Sequence, residues 1–206
     1  MKVGIDCDGV LAAFVPAYQN LCIRLTGKNL FHAGDRSDPP VWHWPQLRGY
    51  TPEEMDKVWS AIKTDPAFWL NLGDLDGLND LRRVYRTLCR DHEVYFITAR
   101  VGESAKWQTE AWLHLRLMHE VWETPGTPTV LISSQKGLCC KALDLDVYVD
   151  DNMDNVRDCV KTARNTRTYL LDRAYNQVGL GNDWWPTIES RRVQTLREMF
   201  DREGIT

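Results

Sequence analysis

The chain has 206 residues and a net charge of −4, enough for one sizeable core or for one core carrying a smaller insertion. That weak acidic balance gives no overall field favouring nucleic acid or an anionic membrane. No apolar run approaches the roughly 20 residues that span a bilayer, and the first residues, carrying Asp6 and Asp8, do not read as a signal peptide; a cytoplasmic protein is expected. Six cysteines stand at 7, 22, 89, 139, 140 and 159. Most sit in apolar strand or helix patterns, and Cys139–Cys140 is vicinal rather than a zinc-type C-x-x-C, so reduced structural thiols are expected.

In chain order, Lys2 to Cys7 reads as a short buried strand, and Ala12 to about Thr26 as a helix stopped by Gly27. Residues 29 to 49, rich in Gly, Pro, Asp and Ser and containing WHWP, read as a loop with aromatic anchors. Thr51-Pro52-Glu53-Glu54 is a helix start, with a Thr cap, Pro at the first position and Glu three residues on. That helix is expected to run to about Lys63, and the next from Asp76-Gly77 to near Asp91. The pattern then alternates. Strands are predicted at 94–98, 129–133, 147–149 and 168–171, with helices at 104–119, 135–143 and 155–163 between them and a closing helix at 188–202. Such alternation implies parallel strands with right-handed crossovers, an α/β open parallel sheet with helices on both faces. Residues 12 to about 70 interrupt the alternation with helices and no convincing strand, and read as an insertion after the first strand.

Ligands of an open parallel sheet bind outside the carboxyl ends of its strands. Those ends read Asp6-Cys7-Asp8-Gly9, Thr98-Ala99-Arg100, Ser133-Ser134-Gln135-Lys136 and Asp150-Asp151-Asn152. Carboxylates, a hydroxyl and a lysine therefore share one edge. Several acids around one point, with no thiolate or imidazole, suit a hard oxygen-seeking cation, Mg²⁺ above all. The hydroxyl and the lysine suit phosphate oxygens. Asn152 and Asp154 can also be read simply as caps of the following helix.

D-x-D-G-V at the first strand, apolar-Thr at the second, a later lysine and a strand ending in Asp-Asp together resemble the haloacid dehalogenase-like (HAD) hydrolases, whose core is Rossmann-like. The resemblance covers residues 1 to 11 and about 75 to 172, and implies a catalytic core at 1–11 and 71–206 with a helical cap at 12–70. It implies a Mg²⁺-dependent phosphatase working through an aspartyl-phosphate. Asp6 would be the nucleophile and bind the metal through its other oxygen. Asp8 would exchange protons with the leaving group and the hydrolytic water, and ligate the metal through its carbonyl. Gly9 would permit a tight turn; Thr98 and the backbone at Ala99 would hold phosphate oxygens. Lys136 or Lys141 would neutralise charge in transit, Lys136 being favoured by its place at a helix start. Asp150 would complete the metal site, with Asp151 supporting it. The second acid at position 8 is the phosphatase version of the motif; dehalogenases lack it.

DCDGVLAAF, FWLNLGDLDGL, YVDDN and YLLDRAYN further resemble the C-type 5′(3′)-deoxyribonucleotidases and their bacterial and phage relatives. This implies a nucleoside monophosphate as substrate and a homodimer as the assembly. Ala174 stands where that resemblance would put a proline, and WHWP maps onto none of its motifs. Phe14, Trp42, Trp44, Phe68 and Trp69 fall in the insertion or at its ends, and read either as its own core or as a stacking surface for a base. Arg100 reads either as a substrate contact or as a solvated or salt-bridged arginine. Trp184 and Trp185 read as packing. A sugar-phosphate phosphatase, an enzyme acting on polynucleotide ends, or a non-catalytic binding protein on the same scaffold are the rival readings. Scattered arginines and the negative net charge speak against nucleic acid, and the intact acids against the non-catalytic scaffold.

Overall fold

The computed structural model describes residues 1–29, 49–117, 128–177, 187–188 and 191–205. A six-stranded sheet forms its centre, in the order β5-β4-β1-β6-β7-β8. The strands are β1 Lys2–Ile5, β4 Glu93–Thr98, β5 Thr129–Ile132, β6 Val147–Asp150, β7 Arg167–Leu171 and β8 Arg192–Val193. Every pairing within it is parallel. β1 lies between β4 and β6, where the strand order reverses, so the carboxyl ends of three adjacent strands meet at one crevice.

Period-two alternation sorts the side chains. Val3, Ile5, Phe96, Val147, Val149, Tyr169 and Leu171 face one core, shared with helices α3 (Asp76–Asp91), α4 (Ala105–Leu117) and α7 (Leu196–Arg202). Ile97 and Tyr148 face the other side, where they meet Cys140 of α5 (Lys136–Leu143) and Cys159 of α6 (Met153–Thr162). Gly4 sits where any side chain would collide with Leu145 and Tyr148, so its missing Cβ lets Tyr148 lie flat across β1. All six cysteines are free thiols, as expected; Cys140 and Cys159 approach to 3.6 Å between sulfurs.

The segment after β1 departs from the sequence expectation at its start. Ala12–Ala13 is a two-residue strand, β2, paired antiparallel with β3 at Gly73–Asp74, and α1 begins only at Phe14. Helical periodicity cannot see this, because the partner lies about sixty residues away and is itself only two residues long. The ribbon makes residues 14–72 leave and rejoin the sheet side by side. Within that stretch α1 (Phe14–Thr26) buries Tyr18, Leu21 and Cys22 against Met55, Val58 and Ile62 of α2 (Pro52–Thr64). Thr51 and Glu54 form the expected capping box on α2, worth about 0.5–2 kcal/mol.

The predicted closing helix is also corrected. Arg192–Val193 extends the sheet as β8, and α7 starts at Leu196 behind its Thr195 cap. Backbone pairing with β7 outweighs helix propensity there. Residues 41–44, with Trp42 and Trp44, and Trp184–Trp185 lie outside the described residues. None of the described helices is long and apolar enough to cross a membrane.

Candidate active site

Four strand ends deliver their polar residues to one cleft of about 200 Å³, lined among others by Asp6, Asp8, Thr98, Ala99, Arg100, Lys136 and Asp151. β1 ends at Ile5, and the Asp6 amide still donates to Val149 O on β6 at 3.0 Å. The chain then turns sharply: Leu11 and Ala12 amides both return to Cys7 O. Gly9 has φ of +84°, and a Cβ on it would strike the Asp151 carboxylate. Glycine is needed there on both counts.

On one side of the cleft, Asp6, Asp150 and Asp151 bring a carboxylate oxygen each within 4.8 Å of one another, all three buried. Lys136, at the first position of α5, is 1 % exposed and donates to Asp6 Oδ1 at 2.5 Å and to Ile97 O. Its Nζ lies 3.9 Å from Asp150. Lys141, the alternative lysine, is exposed further along the same helix. Burial opposes the charge on Lys136, but Asp6 and Asp150 outweigh it and raise its pKa. Burial also pushes the Asp6 carboxyl well up, against Lys136, and the Asp150 and Asp151 charges add to the push. Asp151 is raised to about 7, by burial first and then by Asp150, while the Tyr175 hydroxyl and Arg173 pull it down. Fully ionised, the three carboxylates would outnumber the Lys136 ammonium in a dry site even with Arg173 beside Asp151. That charge and an all-oxygen donor set fit a hard divalent cation.

On the other side, Asp8 turns away from this cluster. Its oxygens accept from Arg100 Nε at 3.0 Å, from Arg100 Nη2 at 2.8 Å and from the Thr98 hydroxyl at 3.2 Å. Arg100, 2 % exposed, is thus salt-bridged within the protein, one of its two sequence readings, although it also lines the cleft. The Thr98 hydroxyl, expected to face a phosphate, is engaged with Asp8 here. Ala99 is exposed on the cleft wall.

Several supporting residues escaped the sequence reading. Tyr148 donates to Asp150 at 2.5 Å, and Asn155 Nδ2 reaches both of that carboxylate's oxygens. The spacing of Tyr148 and Asp150, two apart on one strand and therefore on one face, was the available signal. YLLDRAYN supplies a further set. Arg173 donates twice to Gly9 O, Tyr175 donates to Asp151, and Asn176 donates to Asp151 O and Leu171 O. This segment anchors the turn after β1 to the end of β6. Asn152 does cap α6, accepting from the Asp154 and Asn155 amides.

The cleft's apolar wall comes from residues 14–72. Phe14 stacks near-parallel on Trp69 at 5.7 Å and on Trp59 at 6.0 Å. Trp69 is buried, with its Nε1 donating to Val101 O, whereas Phe14 and Trp59 are half-buried. Trp59 was not singled out in the sequence; only its position on the cleft-facing side of α2 marks it.

The fold agrees with that of HAD hydrolases. A HAD-superfamily hydrolase of subfamily IA, variant 1, from Geobacter sulfurreducens superposes with a TM-score of 0.54 at 14 % identity, covering 98 % of this chain and 96 % of that one. A HAD hydrolase of family IA, variant 3, from Entamoeba histolytica gives 0.51 at 11 %, covering 99 % and 97 %. A dehalogenase solved with its intermediate complex gives 0.55 at 12 %, covering 98 % and 96 %. At these identities the likeness is one of fold. No curated protein sequence matches significantly. Residues 1–181 match the family described as 5′ nucleotidase, deoxy (pyrimidine), cytosolic type C protein (NT5C). With that match running from the Asp6 turn through the YLLDRAYN buttress, the chain belongs to the cytosolic type C 5′-nucleotidase family and is a HAD-like hydrolase.

Proposed function

We propose that the protein removes the phosphate of (deoxy)nucleoside monophosphates, with Asp6 as nucleophile and Asp8 as the proton-transfer group. The observation that carries this reading is the division of the two carboxylates. Asp6 sits in the acid cluster beside Lys136, and Asp8 in the Thr98–Arg100 clamp, yet both line one cleft.

In the first half-reaction an Asp6 oxygen attacks phosphorus while the bond to the nucleoside oxygen breaks, and Asp8 gives that oxygen a proton. In the second, Asp8 takes a proton from water as it attacks the phosphoryl group, and Asp6 is released. Splitting the displacement replaces one hard step by two easier ones. Lys136, fixed on Asp6, balances the charge that moves between carboxylate and phosphoryl oxygens. Thr98 and the Ala99 backbone border the phosphate position, Thr98 by exchanging its Asp8 partner for a phosphate oxygen.

The carboxylates of Asp6, Asp150 and Asp151, together with the Asp8 carbonyl, would hold Mg²⁺. When bound, the ion supplies positive charge to the phosphoryl oxygens and relieves the repulsion among the acids. Tyr148, Asn155 and Tyr175 hold the ligand carboxylates in place. We read residues 12–70 as the cap over this site, with the half-buried, cleft-lining rings of Phe14 and Trp59 contacting a base, where stacking contributes about 1–3 kcal/mol.

Phosphate release across nucleoside monophosphates, sugar phosphates and phosphorylated oligonucleotides tests the reading. Nucleoside monophosphates should be the best substrates, EDTA should stop turnover and Mg²⁺ restore it. Preference for a sugar phosphate would overturn the substrate assignment, and metal-independent hydrolysis would overturn the role of the acid cluster.

A further inference from the structure

Arg100 is an unusual cation for a substrate cleft. Its side chain is fully buried, and its guanidinium lies between two indoles, 5.1 Å from the Trp69 centroid and 5.7 Å from that of Trp112. Both rings are themselves pinned, Trp69 Nε1 on Val101 O and Trp112 Nε1 on Leu72 O, each at 2.9 Å. Nη1 donates to Thr109 Oγ1 at 3.1 Å, and that hydroxyl donates onward to Ala105 O. The two remaining contact edges, Nε and Nη2, both address Asp8. A planar fork held in this way fixes a carboxylate in direction as well as in place.

We propose that Arg100 is a positioning residue that aims Asp8 at the leaving oxygen, and that Trp69, Trp112 and Thr109 set its aim. The inference rests on the assignment of Asp8 above. Trp69 also belongs to the cleft wall and stacks on Phe14. Contact with a base at that wall is therefore linked, through one ring and one guanidinium, to the group that transfers the proton.

The test uses two leaving groups. A nucleoside 5′-oxygen is a poor leaving group and needs the proton; p-nitrophenolate leaves without one. R100K keeps the charge and loses the fork, so in the first turnover it should slow nucleoside release about 10-fold or more relative to p-nitrophenolate release, within the roughly 10²–10⁴ that a general acid supplies, while the shared hydrolysis step slows alike for both. The substrate Kd in those first turnovers should change little. T109V removes only the hydroxyl that orients Nη1, and should show the same selective loss on a smaller scale even if R100K fails to fold. In a D8N background neither substitution should reduce the ratio further. Equal first-turnover losses on both substrates for R100K and T109V would reduce Arg100 to packing and overturn the inference while leaving Asp8 in place. Full nucleoside monophosphate turnover by D8N would instead overturn the assignment of Asp8 itself.

Discussion

The two sides of the cleft use the same residue type in opposite electrostatic settings. Around Asp6, three buried carboxylates share one lysine, and the group is short of positive charge. Around Asp8, one carboxylate faces one arginine fork and a hydroxyl, and the charges balance. The two acids are only two residues apart, but they meet different neighbours: Asp6 meets Lys136 of α5, and Asp8 meets Thr98 of β4 and Arg100 just beyond it. Position in the fold, more than distance along the chain, thus separates a charge-deficient side from a self-contained one. The first asks for a cation; the second does not.

Substitutions can break this asymmetry, and the largest effect is expected at Asp6. D6N should abolish turnover of every phosphomonoester, p-nitrophenyl phosphate included, because no leaving group can compensate for a missing nucleophile; steady-state phosphate release measures it. K136M should come next. It removes the one ammonium that the described residues bring to the cluster and should cost about 10²-fold or more in kcat, again on both substrates. That indifference to leaving group distinguishes the Asp6 side from the Asp8 side, where losses in the first, phosphorylating step should be selective.

A smaller effect is expected from Y148F and Y175F. Each deletes one hydroxyl that holds a carboxylate of the proposed metal site, and the Mg²⁺ concentration for half-maximal activity should rise about 10–100-fold with kcat at saturating metal largely retained. Unchanged metal dependence in both variants would detach Tyr148 and Tyr175 from the metal site.

The smallest effect is on stability. Without metal, Asp151 titrates at about 7 in the folded chain against its usual 3.8. The folded state therefore holds a proton that the unfolded chain has lost, and stability from this group falls as pH rises from about 4 to 7. Asp6 acts in the same direction, while His92, held below its usual range by burial, acts weakly against it. The EDTA-treated protein should melt at a higher temperature near pH 5 than near pH 7, D151N should flatten the difference, and Mg²⁺ should reduce it. A rise in melting temperature over that range would contradict the balance drawn for the acid cluster.

Much of the sheet and its acidic edge was legible because each strand ends in a short polar signature after an apolar run. Asp6, Thr98, Lys136 and Asp150 could be placed from pattern alone, since β1, β4, β6 and the start of α5 are local features. What pattern did not carry was partnership. The fork of Arg100 on Asp8 and the reach of Tyr175 to Asp151 join residues far apart in sequence. Likewise β2–β3 and β8 are two-residue strands that exist only through long-range backbone pairing. Of the two aromatic readings, burial against Arg100 puts Trp69 with the core, and the half-buried ring beside Phe14 is Trp59, which pattern did not mark.

In the proposed mechanism Asp6 attacks phosphorus while Asp8 serves the leaving group. Acid quenching during turnover of a nucleoside monophosphate, followed by mass spectrometry of the peptides, tests it most directly. A phosphoryl group is expected on the peptide containing Asp6, more of it in D8N than in the unsubstituted protein when p-nitrophenyl phosphate is the donor, because hydrolysis of the intermediate then lacks its base. A phosphoryl group on another residue, or rapid turnover by D6N, would contradict it.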